Sequence, residues 1–337
     1  MSTKTELLAL LAQKEGSYAS GQELADTLGV SRNAIWKAVK ALQEQGYAIE
    51  SLPSTGYRLR QKADILTRDA ICEALHVPLK LHLLDKVDST NNYAKTLSDL
   101  SLPQLVVSEE QTAGRGRLGR SFYSPAGKGI YMSFAFCPQL ELRQAMLVTT
   151  MTAVAVCRAL ESLTGLRPKI KWVNDIYLNE KKLCGILTEA ETNFETGEIQ
   201  KIIVGIGINC FEDAAMPPEL REVATFLDKP QESFDRNALI AAIANEFFDM
   251  LAHFDRAKIV RDYRARSFIL GQQILIFNPA IARDIGRPDN RLSEGIRARA
   301  IDIDENGGLV VEYLEGTKSR QMETLSTGEI TVRKVYD

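Results

Sequence analysis

Between Gly114 and Arg120, three arginines and three glycines occupy seven residues, just after Glu109-Glu110-Gln111 and the apolar, strand-like Leu105-Val106-Val107. Glycine lets a backbone approach a ligand closely and take positive φ. Arginine presents a planar fork of donors that matches carboxylate and phosphate oxygens. The stretch reads as a loop that clamps an anion at the end of a strand. Two familiar phosphate-binding folds are excluded by context. Gly114, Gly116 and Gly119 satisfy G-x-G-x-x-G, but that fingerprint needs a helix opening at the last glycine and an acid about 20 residues on. Here Arg120-Ser121-Phe122-Tyr123-Ser124-Pro125 follows, which is poor helix sequence, and the next acid is Glu141. No Gly-Lys-Ser/Thr follows either, so a P-loop is out. The bland alternative is a solvated basic loop.

Length and composition bound the rest. With 337 residues the chain has room for two or three domains. It is 45% hydrophobic and 25% charged, the balance of a globular protein, and its net charge of -3 confines any nucleic-acid surface to a local patch. Five scattered cysteines, Cys72, Cys137, Cys157, Cys184 and Cys210, form no C-x-x-C, which points to reduced thiols, a cytoplasmic protein and no zinc site. His76, His82 and His253 are far apart, and His82 lies in an apolar run that suits a structural role. The opening Leu7–Ala12 run is too short for a signal sequence. Ala145 to Leu160 reads as a buried helix, too short and polar for a membrane span, so no membrane partner is expected.

The first part of the chain, 1–62, has its own pattern. A helix is expected over Thr5–Gln13. A second starts at Ser20, with Glu23 completing a capping box, and stops at Gly29. A third follows Ser31, with Ile35, Val39 and Leu42 on one face. Two short strands, Ala48–Leu52 and Tyr57–Arg60, hinge at Pro53-Ser54-Thr55-Gly56. That order is a winged helix-turn-helix. Its third helix carries Arg32, Asn33, Lys37 and Lys40 after Ser31, with no acid between Gly29 and Gln43. These residue types reach phosphates and base edges, so Ser31, Arg32, Asn33, Lys37 and Lys40 are the candidate DNA contacts. A small protein-interaction domain with a solvated basic face is the alternative.

Gln61–Leu66 reads as a linker. The unit over 67–265 mixes helices (Asn91–Leu100, Gln144–Leu163, Arg236–Asp255) with strands (Leu105–Gln111, Ile130–Cys137, Lys182–Glu189, Lys201–Asn209). The last two strands meet across Thr192–Gly197 as an antiparallel hairpin, which favours α+β over a βαβ fold. From 270 to 337, strands near Gln273–Phe277, Arg297–Ile303, Leu309–Tyr313, Arg320–Leu325 and Glu329–Arg333 predict a small β-barrel, with Pro279–Ser293 as a long loop.

Gln111-x-x-Gly-Arg-Gly-Arg resembles the adenylate-binding loop of the biotin–protein ligases. Asp88-Ser89-Thr90-Asn91, Lys171-Trp172-Val173-Asn174-Asp175, Lys181-Lys182-Leu183-Cys184-Gly185-Ile186-Leu187 and Gly205-Ile206-Gly207-Ile208-Asn209 match the same family in order. Each is weak alone: the first could be only a helix N-cap, the last a packed strand. Together they are strong, and the amino-terminal pattern is similar to the bifunctional form that is also the biotin operon repressor. The resemblance implies a mixed-sheet ligase domain at 67–265 and an SH3-like barrel at 270–337. It implies ATP and Mg²⁺, biotin as substrate and biotinyl-5′-AMP as intermediate. The implied partners are the biotin carboxyl carrier domain of a carboxylase, operator DNA, and a second copy of the chain when adenylate is bound.

The resemblance carries residue roles with it. Ser89, Thr90, Asn91 and Gln111 would hold the ureido ring of biotin. Arg115, Gly116, Arg117, Lys182 and Gly185 would lie along its carboxylate arm, with small Cys184 beside them. Arg117, Arg120, Lys171, Asn174, Lys182 and Asn209 would hold ATP. Lys182, Arg117 and Asp175 would act in the chemistry, Asp175 by steering or deprotonating the acceptor lysine or by positioning Mg²⁺. No metal ligands are legible beyond that. The chemistry fits such a set, because joining a carboxylate to an amine by way of an adenylate brings two anions together, and fixed cations must offset their repulsion. The family more often has proline where this chain has Val173, so a looser turn is expected there. Phe211–Phe234 matches weakly and reads as a loop over the nucleotide. Two other functions compete: a transcription regulator that only senses its ligand, and a lipoate-type ligase, whose Arg-Arg-x-x-Gly-Gly-Gly loop this chain lacks.

Overall fold

The computed structural model describes residues 3–14, 16–44, 47, 49–59, 65–137, 145–193, 195, 198–227, 235–278, 281, 294–326 and 331–334. Helices α1 (Thr3–Gln13), α2 (Gly21–Leu28) and α3 (Arg32–Glu44) precede the hairpin of β1 (Ile49–Leu52) and β2 (Gly56–Leu59). The punctuation comes from the expected residues. Ser20 Oγ accepts the Glu23 N–H, Gly29 closes α2 at φ 65, and Ser31 Oγ accepts the Ala34 N–H at the start of α3. Leu7, Leu11, Leu24, Ile35, Val39 and Leu42 pack inward as a separate core. Most of the expected linker, Gln61–Asp64, falls outside the described residues, as do Ala48 and Arg60 at the ends of the two expected strands. The last two residues of that segment are packed: Ile65 joins the amino-terminal core and Leu66 the central one, since two adjacent apolar residues avoid water best by entering both.

The central unit adds α4 (Arg68–Ala74), β3 (Lys80–Leu84), α5 (Thr90–Thr96), β4 (Gln104–Ser108), β5 (Gly129–Phe136), α6 (Ala145–Thr164), β6 (Lys169–Lys171), β7 (Asp175–Leu178), β8 (Lys181–Thr192), β9 (Ile199–Asn209), α7 (Pro218–Val223), α8 (Arg236–Ala252) and α9 (Arg256–Arg266). Seven strands form one sheet in the order β3-β4-β5-β9-β8-β7-β6. β3 and β4 run parallel and the other neighbours antiparallel, which makes the sheet mixed. β4 is buried throughout because it is covered twice: Leu105 and Val107 face the main core, while Val106 joins Ala94 of α5, Ala135 and Ile203. α6 and α8 lie on the main-core face, where Phe134 stacks on Phe247 with ring centroids 4.8 Å apart.

Several expectations shift in detail. α5 ends at Thr96, short of Leu100, and the expected helix to Asp255 is α8 ending at Ala252, followed by a separate α9. His253 and Asp255 mark the break, and the Asp255 side chain caps α9 by accepting the Lys258 N–H. β6 and β7 flank the Trp172–Asn174 turn, a pair of strands that the sequence pattern does not announce. α6 is in fact long and apolar enough to cross a membrane by length and composition, but it is mostly buried inside the protein. The polar turn Thr192–Gly197 is only partly described, and β8 and β9 pair antiparallel on either side of it as expected.

β10 (Gln273–Phe277), β11 (Ile296–Ile303), β12 (Leu309–Tyr313), β13 (Met322–Leu325) and β14 (Thr331–Lys334) form an antiparallel sheet in the order β13-β12-β11-β10-β14. Nearly all of the Pro279–Ser293 loop lies outside the described residues. The inward residues Ile274, Ile276, Ala298, Val311 and Tyr313 belong to the same continuous core as the central unit. The fold is α+β, with its helix-turn-helix core separate and its other two units sharing one.

Candidate active site

A cavity of about 530 Å³ opens on the α5 face of the central sheet. Its floor follows from the period of β9. Ile206 and Ile208 point into the core, and Gly205 and Gly207 point the other way. A Cβ on Gly205 would lie 2.3 Å from Asn91 Oδ1, and one on Gly207 would lie 2.6 Å from the Phe122 ring. Both glycines therefore make room for the cavity's own side chains. On the neighbouring strand, Gly185 and Leu187 line the same floor. A Cβ on Gly185 would meet Lys182 at 3.3 Å.

One end of the cavity is neutral and densely hydrogen-bonded. Ser89 occupies the N-cap position of α5 but makes no capping bond with its side chain. The first free N–H of the helix, that of Thr90, goes instead to Gln111 Oε1 at 2.8 Å. Gln111 Nε2 donates to Ser124 Oγ at 2.9 Å, and the Ser124 hydroxyl donates to the Phe122 carbonyl. The Thr90 hydroxyl lies 3.1 Å from Gln111 Oε1 and 2.8 Å from Ser133 Oγ. Asn91 Oδ1 lies 2.7 Å from the same Ser133 Oγ, and Asn91 Nδ2 donates to Glu189 at 2.9 Å. Ser89, Thr90, Asn91 and Ser133 are all buried.

The other end is cationic. Arg115 pairs with Glu189 at 3.2 Å and donates to Asn92 Oδ1 at 3.1 Å. Arg117 donates to Asn174 Oδ1 at 3.1 Å, and Asn174 donates in turn to the Ile186 carbonyl at 2.7 Å. Burial holds the Arg117 guanidinium below its usual range; Asp175 opposes that shift and Arg120 adds to it. Lys182 Nζ lies 2.6 Å from Asp175 Oδ1. Lys171 sits over the Tyr177 ring, 5.4 Å from its centroid. The Gly-Arg loop crosses this end as a single 3-10 turn, Arg117–Gly119, closed by the Gly116 N–H on the Arg120 carbonyl at 2.7 Å. Leu118 and Gly119 take positive φ in that turn, and no α-helix opens there, so the dinucleotide reading fails on geometry too.

Of the residues named from sequence, Ser89, Thr90, Asn91, Gln111, Arg115, Gly116, Arg117, Arg120, Lys171, Asn174, Asp175, Lys182 and Gly185 all line this one cavity. Asn209 does not line it; its amide reaches the Lys182 carbonyl at 3.4 Å and so lies behind Lys182. Cys184 is fully buried on the core side, and burial pushes its thiol well above the usual range. The turn at Val173 is not loose. Val173 is buried, its carbonyl accepts from Tyr263 Oη at 3.0 Å, and the Ile186 N–H bonds the Asn174 carbonyl at 3.0 Å.

Phe122, Trp172, Tyr177, Leu118 and Val223 also line the cavity and were given no role from sequence. Glu189 was missed as well, although it lies two residues beyond Leu187 and four beyond Gly185 along the same strand face. Elsewhere, Ser31, Arg32, Asn33, Lys37 and Lys40 are all exposed on the start and outer face of α3. Trp36, half exposed in their midst, was also missed. His82 is structural, with Nε2 2.8 Å from Gln104 Oε1.

Comparison with known proteins gives the same picture in three parts. Residues 83–209 match the profile of the biotin/lipoate A/B protein ligase family, residues 3–58 an HTH domain and residues 291–333 the biotin protein ligase C terminal domain. The bifunctional ligase/repressor BirA of Bacillus subtilis is 34% identical over 322 residues, covering 94% of this chain and 95% of that protein. BirA of Escherichia coli is 31% identical over 252 residues, covering 74% of this chain and 77% of that one. Among solved structures, the biotin protein ligase from Aquifex aeolicus in complex with biotin and ATP matches with a TM-score of 0.61 and 26% identity, over 76% of this chain and 99% of that chain.

Proposed function

The chain belongs to the family of bifunctional biotin–protein ligases and repressors, and from that premise we propose how its own residues carry the two activities. It joins biotin to a lysine of a biotin carboxyl carrier protein at the expense of ATP, and it represses transcription through its helix-turn-helix.

The reaction runs in two steps in one cavity. Thr90, Asn91, Gln111 and Ser89 hold the ureido ring at the neutral end. The carboxylate arm then lies along Gly185 and under Gly116, toward Arg115, Arg117 and Lys182. A carboxylate oxygen attacks the α-phosphorus of ATP, the bond to the β-phosphate oxygen breaks, and pyrophosphate leaves. Biotinyl-5′-AMP remains. Lys182 trades its contact with Asp175 for the oxygens on which charge develops, and Arg117 neutralises the same phosphate. Arg120, Lys171 and Asn174 hold the rest of the nucleotide, with Asn209 fixing the backbone of Lys182. In the second step the carrier lysine's amine attacks the acyl carbon, AMP leaves, and Asp175 takes up or steers the amine's proton.

Asp175 is the one carboxylate among the described residues lining the cavity, and no group of three metal-ligating side chains occurs among the described residues. That donor set suits Mg²⁺ carried mainly by phosphate oxygens and water. Asp175 is the residue that would complete its shell, and the ion would supply further neutralisation of the triphosphate.

The observation that carries this reading is the division of one cavity into a neutral, hydrogen-bonded end, which suits a ureido ring, and a cationic end. Pyrophosphate release measured with ATP and biotin, lipoate or octanoate tests it. Release with biotin alone is expected. Release with lipoate instead would make the chain a lipoate-type ligase, and binding without release would make it a sensor.

For the second activity, Ser31, Arg32, Asn33, Lys37 and Lys40 face operator DNA. Two chains, paired when adenylate is bound, supply the two reading heads that a specific site needs. We place this work in the cytoplasm.

A further inference from the structure

Glu189 stands outside the cavity, and nothing in the chemistry above requires it, yet a buried chain of hydrogen bonds ends on it. Its Oε1 is 2.7 Å from Lys95 Nζ, and its Oε2 accepts from Asn91 Nδ2 at 2.9 Å. Burial alone would raise its pKa, but the hydrogen bonds from Lys95 and Asn91 and the charges of Lys95 and Arg115 hold the carboxyl below its ordinary range. An ionised carboxylate only accepts. Asn91 must therefore turn its amide nitrogen toward Glu189, where its second proton meets the Leu187 carbonyl at 3.4 Å. Its oxygen then faces Ser133 Oγ at 2.7 Å, so the single Ser133 proton is committed to Asn91. The Thr90 hydroxyl, 2.8 Å from Ser133 Oγ, must then donate to it. The backbone N–H of Thr90 takes one lone pair of Gln111 Oε1, and the hydroxyl's contact with that oxygen, 3.1 Å, is longer than its 2.8 Å contact with Ser133. With its proton used, the Thr90 hydroxyl offers only lone pairs to a ligand.

We propose that Glu189 is a positioning residue that fixes the direction of this chain and thereby makes Thr90 an acceptor, selecting a ring that presents an N–H donor. The inference rests on the biotin ligase reading, in which the ureido ring supplies that donor. A neutral carboxamide in place of the Glu189 carboxylate would reverse the chain. Lys95, a donor only, would draw the new carbonyl oxygen, leaving the NH₂ toward Asn91. Asn91 would flip, its nitrogen would face Ser133, Ser133 would donate to Thr90, and the Thr90 proton would be released toward Gln111 or the cavity.

Steady-state pyrophosphate release tests this in wild type, Glu189→Gln and Ser133→Ala, which cuts the chain with a near-isosteric residue and leaves every charge in place. Glu189→Gln and Ser133→Ala should each raise the biotin KM at least about tenfold, the effect of one misdirected buried hydrogen bond. The KM for ATP and the kcat at saturating biotin should stay within about twofold, with normal melting curves. A biotin KM within about twofold of wild type in Ser133→Ala, or in folded Glu189→Gln, would overturn the proposal. If only Glu189→Gln raises it, the effect belongs to charge or to the docking of Arg115. No pyrophosphate from wild type with biotin would instead refute the ligase reading beneath it.

Discussion

Lys182 is held at both ends: its carbonyl accepts from the Thr225 N–H and the Asn209 amide, and its ammonium meets Asp175. That anchoring makes it a preorganised donor rather than a mobile surface charge. Lys182→Ala should lower the rate of adenylation at least about a hundredfold, the usual loss for one such donor. Because the side chain contributes little to the core, the melting curve should hardly move; near-normal pyrophosphate release from folded protein would remove Lys182 from the mechanism. Arg117 has a different task. It is pinned to Asn174 across the mouth of the cationic end, so Arg117→Ala should let biotinyl-5′-AMP escape. Biotinylation of bystander lysines in a mixed protein sample would rise, read by streptavidin blot. Loss of all activity without that rise would confine Arg117 to the first step.

At the scale of elements, β9 shows how one strand serves two masters. Its isoleucines feed the core, and its glycines clear the cavity floor. Gly207→Ala would put a methyl where Phe122 now packs, so the ring must move into ligand space. The expected result is a raised biotin KM with the sheet intact, checked by titration calorimetry beside far-UV circular dichroism. Legibility in the sequence follows the same logic. Where chemistry demands rare residues at fixed spacing, as in Gly114–Arg120 or Gly205–Asn209, the pattern is readable before any coordinates. Helix caps at Ser20, Gly29 and Ser31 are readable because a cap is a local bond. The roles of Glu189 and Phe122 are not, because they depend on which strand lies beside which. The short strands β6 and β7 escape for a related reason: pieces of three and four residues carry too little alternation to announce themselves. The split between α8 and α9 is a cap formed by Asp255, visible only once the chain is known to turn there.

For the whole molecule, the amino-terminal unit has a core of its own but touches the central one at chosen places. Thr5 donates to Asp85 at 2.6 Å, and Tyr47 reaches Glu109 at 3.5 Å. Asp85 and Glu109 stand just ahead of the Ser89–Asn91 and Gln111 segments. A chain starting at Asp64 should still biotinylate a carrier peptide while losing operator binding in a mobility-shift assay; operator binding that survives would refute the winged-helix assignment. In the full chain, operator affinity should rise steeply with protein concentration when biotin and ATP are both present. One basic helix gives few phosphate contacts, and its binding alone is weak and salt-sensitive. Equal midpoints with and without the two ligands would leave a ligase whose DNA-binding unit is uncoupled.

Trp172, a wall of the cavity, gives its indole N–H to the carbonyl of Gly307, in the turn between β11 and β12. The core beneath it runs on without a break into that last sheet. On the ribosome, domains fold from the amino terminus as they emerge. The helix-turn-helix is therefore finished early, whereas the Trp172 wall of the cavity lacks its support until residues beyond Gly307 have been made. Every nascent chain passes through an interval in which it has a DNA-reading head and no ligand sensor. A chain broken off late in synthesis stays in that state: a fragment that retains the address but has lost the signal that decides when to use it.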